Sequence, residues 1–213
     1  FGDYGLVIIE PNKKDLKNLF SPIVKDELTN NTSFYKVTEQ IDLIKKKYNK
    51  KYSPQVNPRE INLFYLTSKG RFRIEKNDKG FSLIGGDLNF TKEAFFKTLK
   101  EYPERFSPNV ILRPLFQELI LPNLFFVGGA AEISYWFQLK KNFDYYNLPF
   151  PSLLLRNSAL IYSEKLKIKI DKLDLSTSDL FLKRNELINK KIRQISSIDL
   201  DLKFLKTKLN DQF

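Results

Sequence analysis

The middle third of the chain carries the pattern that most restricts its fold: an apolar strand, a glycine pair, a helix and another apolar strand. Leu124–Val127 runs directly into Gly128 and Gly129, and apolar residues at helical spacing start at Ile133. A second short apolar run, Leu153–Leu155, follows after two prolines. This order predicts a βαβ unit, and the two strands of such a unit lie parallel in one sheet.

The residues directly after each strand are the first candidates for a ligand site. Gly128 and Gly129 follow the first strand, and Arg156, Asn157 and Ser158 follow the second. Ligands bind at the carboxyl ends of strands in open parallel sheets, so we expect these five residues on one ligand-binding rim. The glycine amides could hold a phosphate or carboxylate. A tight turn and a strand-ending turn are the structural alternatives, and both stay open.

Charged residues near the predicted rim add further candidates. Glu132 lies in the first turn of the helix, where the helix dipole stabilises a carboxylate; it could instead orient an amine or hold a metal ion. Arg113, Gln117 and Glu118 form a polar set inside an apolar stretch. The Arg113 guanidinium could bind a carboxylate or phosphate through two parallel hydrogen bonds, and an ion pair with Glu118 is the alternative.

The first fifty residues predict one strand and two helices. Leu6–Ile9 is a short apolar run typical of a buried parallel strand. A helix ending near Leu28 follows, and we expect Pro22 to kink or divide it. A second helix extends to about Tyr48.

Residues 51–105 predict short strands joined by tight turns. Asn77, Asp78 and Gly80 separate two extended runs and favour a β-hairpin, and Thr91 is expected to cap the helix that follows. A polar cluster before the first of these strands is expected to anchor a loop, and its members are Asn57, Arg59, Glu60 and Asn62.

The last forty residues show a heptad pattern. Ile188, Ile195, Leu202 and Leu209 recur every seven residues, which is the spacing of a coiled-coil seam. A pair of amphipathic helices with a break near Ser196 is the alternative.

Composition excludes several kinds of site. The 213 residues contain no cysteine and no histidine. Disulfides, thiolate or imidazole metal ligands and histidine-based catalytic triads are therefore excluded within the chain, whereas a magnesium site of carboxylates alone is not.

No apolar run is long enough to cross a bilayer. The formal net charge of +11 would suit a nucleic-acid or phosphate-bearing partner. The lysines are scattered, however, which favours a solvated surface.

Three segments resemble one enzyme family, the cysteine-adding enzymes of bacillithiol biosynthesis. Residues 106–118, FSPNVILRPLFQE, resemble the family motif S-N-V-x-x-R-P-L-x-Q-E. Residues 128–136, GGAAEISYW, resemble G-P-G-E-I-A-Y-W, and residues 150–158, FPSLLLRNS, resemble M-P-x-x-x-P-R-x-S. The resemblance runs along nearly the whole chain. Ala130 and Ala131 replace the proline and second glycine of the family's turn.

This resemblance implies a ligase that joins L-cysteine to glucosaminyl-malate in the last step of bacillithiol synthesis, in the cytoplasm. It also implies a nucleotide, ATP or ADP, and a homodimer formed through a coiled coil; no membrane or nucleic acid is expected, and a metal requirement is not implied. Polar members of the motifs join the rim as candidates for binding substrate or nucleotide, and the full set is Asn109, Arg113, Gln117, Gly128, Gly129, Glu132, Arg156, Asn157 and Ser158.

The implied architecture is α/β: a partial Rossmann-like parallel sheet with an inserted α+β element and the start of a C-terminal helical coiled coil. We expect a strand and helices of the core in residues 1–50, the insertion in 51–105, the core βαβ unit in 106–175 and the root of the coiled coil in 176–213.

The chain starts at Phe1 without a methionine and ends at Phe213 inside a helical pattern, so we interpret it as an internal segment of a longer protein. No residue is assigned to catalysis, because the histidines typical of such cores would lie before Phe1, and we expect the segment to be inactive alone. Two other function classes stay open: a basic nucleic-acid-binding module and a dimerisation scaffold.

Overall fold

The structure is a computed structural model that describes residues 2–5, 8–48, 52–86, 88–195, 207, 208 and 210. The chain divides into two compact units, residues 1–157 and residues 158–213. The first unit holds two N-terminal helices, an antiparallel sheet and a small parallel sheet. The second holds short helices.

Two helices open the first unit, α1 (Lys14–Asn30) and α2 (Thr32–Lys47). Asn31 joins them in the left-handed conformation, with φ of 54°, which asparagine adopts more readily than most residues. The predicted division of α1 at Pro22 does not occur, because the helix continues to Asn30.

The predicted strand at Leu6–Ile9 is wrong for the part that the structure describes. Ile8 and Ile9 lie outside any strand and are exposed, while Leu6 and Val7 lie outside the described residues. A short apolar run becomes a strand only where another strand can satisfy its backbone groups. Ile8 and Ile9 pair with no strand among the described residues.

An antiparallel sheet forms most of residues 63–108. Its strands are ordered β4-β3-β2-β1-β5. The bounds are β1 (Leu63–Thr67), β2 (Gly70–Asn77), β3 (Gly80–Ile84), β4 (Asn89–Thr91) and β5 (Phe106–Pro108), with α3 (Lys92–Glu101) before β5. The sequence pattern does not predict β5, which is only three residues long and pairs with β1.

The predicted hairpin and helix cap in this sheet are both confirmed. Asn77 pairs with Gly80 at the end of the β2–β3 ladder. Gly80 has φ of 145°, and a Cβ there would lie 2.3 Å from the Phe90 carbonyl oxygen, so both conformation and space require glycine. The Thr91 hydroxyl accepts a hydrogen bond from the Ala94 amide at 3.2 Å and caps α3.

The predicted βαβ unit is also confirmed. Strands β6 (Phe125–Gly128) and β7 (Ser152–Leu155) pair in parallel, and Gly128 lies opposite Leu155. The connection holds two helices, α5 (Ala130–Phe137) and α6 (Lys140–Tyr145), where the sequence predicts one. Between them, the buried Gln138 amide accepts hydrogen bonds from the Gln55 and Val56 backbone and donates to the Val56 carbonyl.

Aromatic side chains fill the core of the first unit. Phe81 stacks on Phe95 with ring centroids 4.7 Å apart, and Phe126 stacks on Trp136 at 4.1 Å. Full burial of a side chain of this size contributes about 1.5–3 kcal/mol relative to its exposed state. These contacts attach α3 to the antiparallel sheet and α5 to the parallel one.

The second unit contains α7 (Glu164–Lys172), a 3₁₀ turn (Thr177–Phe181) and α8 (Arg184–Ile195). Ser176 precedes the 3₁₀ turn, where Asp179 accepts hydrogen bonds from its amide and hydroxyl. Asp179 also pairs with Lys190, which holds the pKa of that carboxyl at about 2. Of the four heptad positions, Ile188 and Ile195 lie in α8; Leu202 and Leu209 lie outside the described residues.

Candidate functional site

The two parallel strands end side by side, and their carboxyl ends form the rim that the sequence predicts. Gly128 closes β6, and its carbonyl accepts a hydrogen bond from the Arg156 amide at 2.9 Å. Gly129 and α5 leave the sheet at this edge, as does Arg156 after β7. The structure therefore brings Gly128, Gly129, Glu132 and Arg156 together.

Close contacts explain why glycine occupies both positions of the turn. A Cβ on Gly128 would lie 2.6 Å from the Phe126 ring and 3.2 Å from the Glu132 Cβ. A Cβ on Gly129 would lie 3.0 Å from the Arg156 Nη2 atom. Gly128 thus permits the packing of β6 against α5, and Gly129 leaves space for the guanidinium.

Glu132 caps its own helix. The Gly129 amide donates a hydrogen bond to the Glu132 Oε2 atom at 2.8 Å. This carboxylate satisfies an N–H group that has no partner within the helix, and the helix dipole stabilises its charge. A phosphate that approached the Gly129 amide would have to displace this carboxylate and would be repelled by it. The turn in this state does not fit a phosphate group.

Arg113 and Gln117 connect α4 (Arg113–Ile120) to α5. The Arg113 guanidinium donates from Nη1 to the Gln117 side chain and from Nη2 to the Tyr135 hydroxyl, both at 2.9 Å. Tyr135 follows Glu132 by three residues, so the two lie on one face of α5. The sequence patterns assign no role to Tyr135; its spacing from Glu132 is the signal that could have identified it.

The alternative ion pair between Arg113 and Glu118 is not formed. Glu118 is buried and accepts hydrogen bonds from the backbone and side-chain amides of Asn123, at 2.8 and 3.0 Å, and from the Gln117 side chain. Arg113 itself is exposed. Its charge is therefore accessible to an anionic ligand.

The Asn109 side chain forms its hydrogen bonds within its own loop and to Asn62, not with residues of the rim. Its side-chain oxygen accepts hydrogen bonds from the Ile111 and Leu112 amides, and its side-chain nitrogen donates to the Asn62 Oδ1 atom at 3.0 Å. The Asn109 carbonyl accepts from the Arg113 amide at 2.8 Å. Asn109 thus holds the turn that positions Arg113 at the start of α4.

Comparison with known proteins gives two family matches that together cover almost the whole chain. Residues 1–157 match the model described as "Bacillithiol biosynthesis BshC, N-terminal Rossmann-like domain". Residues 159–213 match "Bacillithiol biosynthesis BshC, C-terminal coiled-coil domain". The chain belongs to the BshC family. The resemblance found in the sequence motifs is therefore confirmed, as is the Rossmann-like and coiled-coil fold class.

Curated relatives from this family carry the name "Putative cysteine ligase BshC". The protein of Christiangramia forsetii is 47% identical over 213 residues, which is all of this chain and 39% of the relative. The protein of Flavobacterium johnsoniae is 45% identical over the same shares. That of Cytophaga hutchinsonii is 35% identical over 205 residues, or 94% of this chain. The chain spans about two fifths of the length of these relatives.

A buried hydrogen-bond network supports the BshC motif that contains Asn109. Glu27 is fully buried; its Oε1 atom accepts from the Asn62 backbone and side chain, and its Oε2 atom accepts from the Ser33 amide, all at 2.9 Å. Burial raises the pKa of Glu27, and these hydrogen bonds oppose the increase. The predicted loop anchor is confirmed at Arg59. The Arg59 amide donates a hydrogen bond to the Asn62 side-chain oxygen, and the Arg59 carbonyl accepts one from the Asn62 side-chain nitrogen.

Lys17 is a buried cation that sequence reasoning misses. It is 3% exposed, donates to the Phe106 carbonyl at 2.8 Å and lies 5.0 Å from the centre of the Phe116 ring. Burial, aided by the positive charge of Arg71, lowers the pKa of Lys17 to about 8. No sequence signal distinguishes it from the many exposed lysines.

The remaining rim candidates lie where the two units meet in sequence. Asn157 is the last residue of the first unit and Ser158 the first of the second, and both are exposed.

Across the described part of the chain, no group of three or more His, Cys, Asp or Glu side chains is placed to hold a metal ion. None of the described helices is long and apolar enough to cross a membrane.

Proposed function

We propose that this chain is part of a ligase that joins L-cysteine to glucosaminyl-malate, the last step of bacillithiol biosynthesis. The observation that carries the proposal is that both BshC domains match in order along the chain. The relatives are named cysteine ligases. The glycine turn and Arg156 at the carboxyl edge of β6 and β7 supply a site of the kind that such chemistry needs.

Formation of an amide from a carboxylate and an amine sets two requirements. One oxygen of the carboxylate must leave, and a nucleotide would supply the phosphate-bearing group with which it leaves; positive charge or hydrogen-bond donors must stabilise that leaving group. Both substrates must also be held with the amine nitrogen against the carboxyl carbon. Arginine and backbone amides meet the first requirement, and a carboxylate that accepts from the amine meets the second.

The rim residues divide between these tasks. Arg156 lies over Gly129, and Arg113 is held by Gln117 and Tyr135. Each guanidinium binds an anionic group of a substrate in this proposal. Gly128 and Gly129 contribute backbone donors, with the Gly129 amide becoming free only when the Glu132 carboxylate moves. Glu132 then accepts from the substrate amine.

The other exposed rim residues act by hydrogen bonding. The Asn157 amide, next in sequence to Arg156, supplies a neutral donor and acceptor, and the Ser158 hydroxyl is proposed to do the same. Asn109 and Gln117 act indirectly by positioning Arg113.

Three further features belong to the same proposal. The enzyme uses a nucleotide, whose phosphates bind away from the Gly129 amide as long as the Glu132 carboxylate accepts a hydrogen bond from that amide. It forms a homodimer through the coiled-coil domain that residues 159–213 match. It acts in the cytoplasm.

Deletion of the full gene tests the reaction. We expect cells without the gene to lack bacillithiol, measured by mass spectrometry after thiol labelling, and to accumulate glucosaminyl-malate, measured by mass spectrometry after labelling of its amine. Complementation with the intact gene should restore the thiol, and complementation with Arg156→Gln should restore little of it. Normal bacillithiol in the deletion strain, or loss of bacillithiol without the accumulation of its precursor, would contradict the proposal.

A further inference from the structure

A solvent-open cleft of about 700 Å³ lies beside the antiparallel sheet, within the first unit and separate from the rim residues. Its walls come from the end of β1, from β4, from α3 and from the 3₁₀ turn Pro103–Arg105. This volume is within the range of small-molecule sites. The proposed ligase reaction uses no residue of this cleft.

Glu104 contributes an unsatisfied carboxylate to the cleft. Its Oε2 atom is buried and has no hydrogen-bond partner, and no donor among the described residues bonds to Oε1. A buried acceptor without a partner costs about 1–3 kcal/mol, and more if it is charged. Such groups are rare in folded proteins, and a ligand that supplies the missing donor is one explanation for them.

Arg105 contributes an oriented cation to the same cleft. Its Nη1 atom donates to the Tyr65 hydroxyl at 3.2 Å, and its guanidinium carbon lies 4.4 Å from the centre of the Tyr102 ring. These contacts hold the guanidinium plane, while its Nε and Nη2 atoms donate to no described residue. That free edge has the geometry for bidentate binding of a carboxylate.

The two opposite charges line one cleft without pairing with each other. Glu104 and Arg105 are neighbours in sequence, yet no ion pair joins them in the described structure, where seven other pairs form. A ligand that carries both charges would satisfy both residues. A phosphate would be repelled by Glu104, and a simple cation would be repelled by Arg105.

We propose that this cleft binds the zwitterionic head of a free α-amino acid. Its carboxylate lies on the Nε–Nη2 edge of Arg105, and its ammonium group donates to Glu104 after a small rotation of the carboxyl group. The amino-acid side chain lies against Leu88 and Phe90, which favours small or apolar side chains. This inference does not depend on the proposed ligase activity, because it concerns binding alone.

Titration calorimetry on the full-length protein tests this inference with three matched thiols. L-Cysteine carries both charges, cysteamine lacks the carboxylate and 3-mercaptopropionate lacks the amine. We expect saturable binding of L-cysteine and at least tenfold weaker binding of the other two. L-Alanine should bind as well, because the cleft recognises the head group and not the thiol. Equal binding of all three thiols, or no saturable binding of L-alanine, would overturn the proposal.

Variants assign the binding to the cleft. Glu104→Gln and Arg105→Gln should each weaken L-alanine binding at least tenfold. The control Glu101→Gln removes the same charge three residues away, outside the cleft, and should bind as the wild type does. Glu104→Gln should also keep the melting temperature, because it relieves an unsatisfied carboxylate. Unchanged binding in Glu104→Gln would refute the site, even if the cysteine-adding activity were intact.

Discussion

Two polar clusters of the first unit each contain a glutamate that accepts backbone hydrogen bonds, but they lie in different environments. In the buried cluster, Glu27 and Asn62 have no exposed surface, and both Glu27 oxygens accept hydrogen bonds. At the rim, Arg156 is exposed, and Glu132 accepts a hydrogen bond from one group of the described residues, the Gly129 amide. The first cluster uses its hydrogen bonds to hold loops and helices in place, whereas the second leaves charge available for a ligand. Substitutions in the first should therefore reduce stability, and those in the second should reduce activity.

Removal of the Glu27 side chain should have the largest effect on stability. Glu27→Ala leaves the Ser33 and Asn62 amides buried without an acceptor, so we expect a loss of about 3–4 kcal/mol in the free energy of unfolding. Urea denaturation followed by circular dichroism measures it. Glu60→Ala, at an exposed carboxylate nearby, should stay close to the wild type. A similar small loss in both variants would remove the distinction between the two clusters.

Gly128→Ala should have the next largest effect. The added methyl group would lie 2.6 Å from the Phe126 ring, and relief of that clash moves Phe126 off Trp136. We expect a loss of about 2 kcal/mol, the typical cost of overpacking. Gly86→Ala is the matched control, because its nearest neighbour, in the Phe72 ring, would be 3.4 Å away. Equal stability of the two variants would show that the turn can relax without disturbing the core.

Lys17 should make stability depend on pH. Its pKa is about 8 in the folded protein and 10.5 when unperturbed, so the unfolded chain binds more protons between these values. The free energy of unfolding should therefore rise with pH across this range, by about 3 kcal/mol, and stay flat with respect to this group below pH 8. Lys17→Met should abolish the rise, and Lys14→Met, at an exposed position, should retain it. If the free energy of unfolding of Lys17→Met still rose with pH, another titratable group would be the cause.

Arg156→Gln should change stability least and activity most. The side chain is exposed and forms no ion pair with described residues, so the free energy of unfolding should stay within about 0.5 kcal/mol of the wild type. Under the proposed function, the rate of cysteine addition should fall at least tenfold, measured as bacillithiol formed by the full-length enzyme. Arg184→Gln on α8 is the control for loss of positive charge. Full activity in Arg156→Gln would place the anion site elsewhere.

Local patterns predicted the elements whose signals lie close together in sequence. The βαβ unit, the hairpin at Gly80 and the cap at Thr91 each follow from spacing or turn chemistry within a few residues. The strand at Leu6–Ile9 failed at Ile8 and Ile9, because a strand also needs a partner and periodicity does not reveal one. β5 was missed for the converse reason: three residues carry too little pattern, and pairing with β1 defines it.

The candidate site was predictable only in part. The sequence placed Gly128, Gly129 and Arg156 on one rim because parallel strands end at the same edge of a sheet. It did not predict that the Glu132 carboxylate accepts a hydrogen bond from the Gly129 amide, or that the Tyr135 hydroxyl accepts one from Arg113. Those outcomes depend on side-chain directions, which the order of residues does not specify.

The amino-acid sequence by itself determined the family, the parallel pair of strands and the glycine turn, because each rests on short-range spacing or on motifs. Only the tertiary structure decided which polar groups are buried and which remain available. Lys17 and Glu27 resemble exposed lysines and glutamates in the sequence, and Glu104 resembles any surface carboxylate. Burial and hydrogen-bond satisfaction arise from contacts between residues far apart in the chain, and these contacts exist only once the chain has folded.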